Sequence, residues 1–411
     1  SEAAVFDNAV SGASGTVALD GGAHVEFTSM DNDFGTLHVY GTGTTAIVNN
    51  MQGDDTALGN AHVYVDSGSR VELAGTSSWT LDNALDIAAG GTLAVTAGGS
   101  SNIFSFGNTT NQNIIGNVSL TNALLYIGGA VNGASDNAAV LKTATLEAGS
   151  GAAIHVATGD SAQQLAGLDI SGGDVYFEGT LGLNADTNVL GQLTVGQLTI
   201  GSGTIHATAS DTSAGAGSIE SNDVISAQEK GSYQNLIRVS GDQTLDDDAL
   251  NGLDLSVVDN AGKEVEGIVS KIVSGDVEVA EGTYDYVLAV GEDRKSLGVA
   301  YTLTEINLLK TLDVIESGTM TARLTGGGNL TVSKELTLAA RTETTANDYT
   351  GETSVASTGE LTAEANTLGH GEAYTSKLTV DKDGAFTNAG NNVIGSLEAN
   401  GDLELNATSS I

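Results

Sequence analysis

Neither proline nor cysteine occurs anywhere in the 411 residues, tryptophan occurs once, and aromatic residues amount to only 4%. A proline-free chain can donate a backbone N–H at every position, so unbroken strand ladders are open to it throughout. Without cysteine, thiol catalysis and disulfide stapling are excluded. The same lack suits a chain exported through an oxidising compartment, where disulfides would trap a segment that must stay unfolded. With so few aromatics the core must come from Val, Leu, Ile and Ala, which an apolar content of 40% supplies.

Basic residues are the next scarcity. Lys and Arg number 14 against 52 Asp and Glu, the formal net charge is −38, and no cation precedes Arg70. Neutralising a row of phosphates is beyond such a surface, so nucleic acid is excluded as a partner. Anionic membranes are repelled in the same way, and no run approaches the roughly 18 apolar residues of a spanning helix, so no membrane insertion by this segment is expected. No secretory leader is visible at Ser1, and "SEAAVFDNAV" reads as a mature or trimmed start.

What is abundant is glycine, 55 residues, and it recurs in a unit. "GTVALDGGAHVEF" from Gly15, "AHVYVDSGSRVEL" from Ala61, "ALDIAAGGTLAV" from Ala84, "ATLEAGSGAAIHV" from Ala144, "GLDISGGDVYF" from Gly167 and "QLTIGSGTIHA" from Gln197 share one plan. Each is a short alternating strand, a glycine turn and a second alternating strand. Aligning Val25, Val71, Leu93, Ile154 and Val175 gives offsets near multiples of about 20 to 23 residues. Three short strands and three turns, at roughly 3.3 Å per strand residue, need about that length to go once around a parallel β-helix. In "GAHVEF" the alternation sends Ala23, Val25 and Phe27 inward and His24 and Glu26 outward. No unit can bury its apolar face alone, so stability has to come from stacking.

The expected fold is therefore all-β: a right-handed parallel β-helix, or solenoid, with loop excursions and a β-hairpin interruption. Its handedness comes from the family resemblance given below. Residues 1–222 carry the N-terminal coils, 223–309 depart from the repeat, and 310–411 resume it. Within the middle stretch "YDYVLAV" and "LGVAYTLTEINLL" alternate strongly around the polar turn "GEDRKS", which predicts a hairpin.

Near the end, "DYTGETSVASTGELTAEANTLG" resembles the YTGxTxVxxGxL repeat of autotransporter passenger domains, matching at Tyr349, Thr350, Gly351, Thr353, Val355, Gly359, Leu361, Leu368 and Gly369. The preceding hairpin is similar to one that recurs before such repeats in AIDA-type adhesin autotransporters. This resemblance implies a right-handed β-helical passenger displayed on the cell surface of a Gram-negative bacterium. It also implies adhesion to a host matrix glycoprotein such as fibronectin and to host glycans, with biofilm support as a related role. The alternative reading is self-association, in which rods on neighbouring cells zip through Asn, Thr and Asp side chains. The chain reaches Ile411 without amphipathic barrel strands, so the translocating barrel is not expected within it. In the unit itself Tyr349, Val355 and Leu361 are expected to fill the coil while Gly351 and Gly359 turn it.

Chemistry has little to work with. A lyase would want a positioned Lys or Arg beside Ca²⁺, and the central cations Lys142, Lys230, Arg238, Lys263 and Lys271 are scattered among acids that can pair with them. A hydrolase needs only two facing carboxylates, which so acidic a chain offers by accident; "LDDDAL" at Asp246–Asp248 reads as a solvated loop. No serine-protease GDSGSP, Walker or dinucleotide motif occurs, so no catalytic residue and no cofactor are expected. "DNDFG" from Asp31 and "DKDG" from Asp381 lack the ligand set of a Ca²⁺ loop, and the histidines lack metal spacing, so no metal is expected. Should His24, His38, His62, His155 and His206 fall in register, they would form an outward column. Binding is expected instead on the polar excursions, through Asn108, Asn111, Asn113, Asp136, Asn137, Lys142, Asp211, Asn222 and Lys230. Nearby Phe104, Phe106 and Tyr126 are candidates for stacking on a sugar, with the core as the competing place for them.

Overall fold

The computed structural model describes residues 3–53, 57–99, 102–106, 112–127, 145–149, 151–156, 163–170, 172–181, 193–209, 219–220, 234–259, 261–265, 268–406 and 409–410. Within them the protein is all-β, and the helical turns among the described residues are the short 3-10 segments Asp247–Leu250 and Glu343–Thr345. Most pairing is parallel, in large sheets, and it steps forward along the chain. Ala4 lies opposite Val25, Val25 opposite Ala46 and Ala46 opposite Val71, and the row continues through Leu93, Val118, Leu146, Leu168 and Leu198. Two residues further on, Phe6, Phe27, Val48, Leu73, Val95, Leu120, Ala148, Ile170 and Ile200 form a second row in the same strands. A third row runs Trp79, Phe104, Leu125, Ile154, Val175, Ile205 and Leu255.

These rows are the core. From Val25 to Leu198 the first is buried throughout, and so is the third from Trp79 to Ile205. Phe104 and Phe106 are core residues and unavailable to a ligand. The rows also correct the sequence alignment. Val25, Val71 and Leu93 do share a row, but Ile154 and Val175 belong to the third one, and the missing members of the first are Ala46, Val118, Leu146 and Leu168. Each repeat offers two apolar strands of the same alternation flanking one glycine turn, so an offset alone cannot tell which strand is matched.

The hairpin forms as the alternation predicts, with strands Val277–Val290 and Ser296–Leu308 antiparallel. A third antiparallel strand, Ile268–Ser274, joins its outer side. Ser296–Leu308 also pairs antiparallel with Gln234–Val239 and parallel with Arg323–Gly326, so the hairpin is stitched to what precedes and follows it. Its residues divide between two hydrophobic clusters. Val290, Leu297 and Val299 belong to the larger one, Tyr284, Leu303 and Ile306 to the smaller, and Tyr286 packs against both.

Beyond the hairpin the parallel rows resume. Val314, Val332, Val355 and Val380 stack in register, as do Leu336, Leu361 and Phe386. Tyr349, Val355 and Leu361 have no exposed surface, as the repeat implied. Gly351 and Gly359 are required for closeness: a Cβ on either would collide with the carbonyl oxygen of Gly328 or of Val332. Polar groups buried here are paired. The Tyr349 hydroxyl is 2.6 Å from Thr353 Oγ1, which is 2.9 Å from Thr375 Oγ1, and Thr375 donates to the Gly351 carbonyl at 2.8 Å. That terminal carbonyl can only accept, so the chain of hydroxyls points its protons from Tyr349 toward Gly351. Asn392 accepts from the Thr367 and Leu368 amides at 2.8 and 2.9 Å and donates to the Glu364 carbonyl at 2.8 Å.

Two predictions follow from this packing. Gly351→Ala is expected to cost several kcal/mol, because backbone and not a flexible side chain stands in the way, whereas Gly327→Ala, with open space around it, should change stability by less than about 0.5 kcal/mol. Urea unfolding of the two variants decides this. Burial pushes the Tyr349 phenol up from 10.0 to about 12, against the opposing hydrogen bonds of Thr353 and Thr375. Its contribution is therefore complete below pH 10 and declines between about 10 and 12 by at most about 1.4 kcal/mol per pH unit, as the unfolded phenol ionises first. Tyr349→Phe should cost about 1 kcal/mol at pH 8 and lose this alkaline decline, so that the gap to the parent narrows at high pH.

Candidate functional site

Side chains on the outer face of a parallel ladder fall into rows just as the inner ones do. Across the five strands Ser11–Leu19, Asp33–Val39, His62–Val65, Leu85–Ile87 and Gln112–Ile114, one outer row reads Ala18, His38, Tyr64, Asp86 and Asn113. Asn113, named from the sequence as a binding residue, therefore stands beside Asp86 and donates to its carboxylate at 2.9 Å. Asp86 is also 2.8 Å from His62 Nε2, and the Tyr64 hydroxyl lies 2.8 Å from His62 Nδ1. A carboxylate only accepts, so the His62 Nε2–H donates to Asp86, and the Tyr64 hydroxyl partners the other ring nitrogen. His38 approaches Asp66 at 3.2 Å and its ring lies 4.8 Å from that of Tyr40, while His62 and Tyr64 stack at 4.0 Å.

A second outer row runs His155, Tyr176, His206 and Ser256. Tyr176 and His206 stack face to face at 4.1 Å with 5° between their planes. Partial burial, and then the negative charge of Asp174, push the Tyr176 phenol up, so the hydroxyl stays a hydrogen-bond donor. Asp174 is 3.5 Å from His206 Nε2 without the alignment of a hydrogen bond. Histidines thus share outer rows only in part. His38 aligns with Tyr64 and not with His62, and tyrosine separates His155 from His206. Among the described residues no group of three or more metal-binding side chains comes together.

A polar groove of about 300 Å³ opens beside the outer face of the first sheet, lined by Thr28, Asn49, Asn50, Ala74, Gly75, Thr76 and Thr96. Asn49 donates to Glu26 there. Glu72 holds Arg70 at 3.3 Å and Thr96 at 3.3 Å. Elsewhere Arg238 pairs with Asp293 at 3.0 Å and Lys271 with Glu278 at 2.9 Å.

Rows of half-exposed rings flanked by carboxylates and an amide can accept hydrogen bonds from several hydroxyls at once while offering a ring to an apolar C–H face. Of the residues named from the sequence, Asn113 is placed in such a row. Asn108, Asn111, Asp136, Asn137, Lys142, Asp211, Asn222 and Lys230 lie outside the described residues. Sequence reasoning missed Tyr64, Asp66 and Asp86. Their outward positions were readable in "AHVYVD" and "ALDI", but which of them become neighbours is set by the register.

No protein-family model and no solved structure matches the chain. It is similar to the protein YuaQ of Escherichia coli (strain K12), described as uncharacterized, with 26% identity over 297 residues. That match takes in 69% of this chain but 21% of the relative, so the chain spans about a fifth of the protein it resembles.

The exposed row is expected to matter little for stability. Asp86→Ala removes the acceptor shared by His62 and Asn113, yet with side chains about 35% exposed it should change unfolding free energy by less than about 1 kcal/mol. Urea titration checks the stability, and the ¹⁵N shifts of the His62 ring should report the lost Nε2 partner.

Proposed function

We propose that this chain is part of the passenger of an AIDA-type adhesin autotransporter, wound as a right-handed parallel β-helix and displayed on the surface of a Gram-negative bacterium. Stretches 1–222, 223–309 and 310–411 are consecutive parts of one solenoid, the hairpin included. The protein attaches the cell to a host matrix glycoprotein of the fibronectin kind and to host glycans of the glycosaminoglycan kind, without catalysis. What carries this reading is the forward-stepping parallel register, which lays outer side chains in rows such as His38, Tyr64, Asp86 and Asn113. The Tyr349–Leu361 repeat and the similarity to a protein of Escherichia coli support it.

Charge narrows the mode of attachment. A surface of −38 repels sulfated polysaccharide at long range, so such a glycan has to be held at short range by hydrogen bonds and ring stacking. Binding should therefore strengthen as salt rises from about 20 to 150 mM, the reverse of a basic adhesin.

The test is an array of matrix proteins and of neutral, amino and sulfated glycans probed with the purified chain, with and without chelator. Saturable binding that falls at least about tenfold in a Tyr64→Ala/Asp86→Ala variant of unchanged circular dichroism is the expected outcome. Absence of binding across the array, or release of unsaturated or reducing ends from any glycan, overturns the proposal. Concentration-dependent dimers in sedimentation without heterologous binding would favour self-association instead.

A further inference from the structure

The parallel stack has an interruption, and the strand edges around it are treated unequally. The row through Leu198 ends because Gln234–Val239 pairs with the Leu193–Val195 half of its strand and not with Leu198. At Leu198 a side chain takes the place of the missing strand: Gln243 Oε1 accepts from the Leu198 amide at 2.8 Å and Gln243 Nε2 donates to the Leu198 carbonyl at 2.7 Å. The neighbouring row ends on the strand Leu253–Asp259, which pairs on one side with Gly203–Ala209. On its other side, among the described residues, no strand pairs with Leu253–Ser256, and Leu255 is half-buried where every residue of its row from Trp79 to Ile205 is buried.

Across from that edge stands the hairpin. Val287–Ala289 pair with Gly298–Ala300 on one side, while on the other side of this strand, among the described residues, the pairing with Ile268–Ser274 reaches Tyr284 and no further. Between the two edges lies a groove of about 500 Å³ lined by Leu250, Leu253, Leu255, Val287, Leu288 and Ala289, with Asp247 and Asn251 at its rim. Its lining combines apolar side chains with polar groups between two backbone edges, which an added strand satisfies with main-chain hydrogen bonds and alternate side chains. The surroundings are acidic. Asp247, Asp248 and Asp254 are exposed, whereas Arg294 is engaged by Asp246, Arg238 by Asp293 and Lys295 by the Gly241 and Gln243 carbonyls.

We propose that this groove receives an extended peptide segment of a partner protein, in which apolar residues alternate with Lys or Arg, added as a strand along Leu253–Ser256. The apolar side chains enter between Leu253, Leu255 and Val287, and the cations face Asp247 and Asp254. This inference rests on the pairing pattern and the charge around it, and it stands whether or not the chain is an adhesin.

The probe is an end-capped nonapeptide alternating Val and Lys, offered to the whole chain at 150 mM salt and followed by fluorescence anisotropy and amide hydrogen exchange. Saturable binding with added protection at Leu253–Ser256 or Val287–Ala289 is expected. Three controls are expected to lose at least about tenfold: the same peptide N-methylated at alternate residues, the Val/Glu peptide, and the Val/Lys peptide offered to an Asp247→Lys/Asp254→Lys variant. Both substituted residues are exposed, so that variant keeps its fold. Equal binding of the N-methylated peptide would show charge attraction without strand addition and overturns the proposal. So does protection confined to other strands, or a dimer of this chain in which Leu253–Ser256 is already protected and the peptide cannot enter.

Discussion

Parallel backbone pairing between one repeat and the next is the constraint on which the molecule depends. The strands of the repeats are too short to hold a face of their own, and each becomes stable when a strand from the following repeat lies against it at hydrogen-bonding distance. That spacing dictates composition. Proline would remove a donor from a ladder used on both sides, and at Gly351 and Gly359 the chains approach so closely that a single methyl would strike a carbonyl. Inner rows of Val, Leu, Ile and Phe follow from it, and so do the outer rows of His, Tyr, Asp and Asn.

Polar side chains inside the repeat obey the same demand. Asn392 and Thr375 are not exceptions to an apolar core; they bond backbone groups that would otherwise lack partners, and Tyr349 joins Thr375 through the Thr353 hydroxyl. The outward rows carry no such duty. They are free to differ in chemistry from repeat to repeat without disturbing what lies beneath, which is the arrangement a binding surface requires.

Strand alternation made much of this legible before any coordinates. "GAHVEF" announced which of its residues face inward, the "YDYVLAV" and "LGVAYTLTEINLL" stretches announced the hairpin, and Tyr349, Val355 and Leu361 were placed in the core. Alternation is a one-dimensional signal, however, and it says nothing about which strand lies next to which. That is why Ile154 and Val175 were aligned with Val25, and why Tyr64 and Asp86 went unnoticed as neighbours of Asn113. The strand Ile268–Ser274 escaped for another reason: it pairs antiparallel with the hairpin and parallel with the two-residue strand Ile219–Glu220, and its "IVSKIVS" pattern has no counterpart in the repeats. Excursions chosen for their Asn and Asp content pointed to Asn113, but the residues it works with sit on the strands.

The hairpin has one further consequence. Its two strands contribute Val290, Leu297 and Val299 to one hydrophobic cluster and Tyr284, Leu303 and Ile306 to the other, with Tyr286 touching both. A linear array of repeats ordinarily melts piecemeal, since each unit consults only its neighbours. Here a fourteen-residue strand, Val277–Val290, belongs to both halves. Peeling it away strips packing from two cores at once, so tension applied along the chain meets a cooperative lock near its middle and not a series of independent rungs.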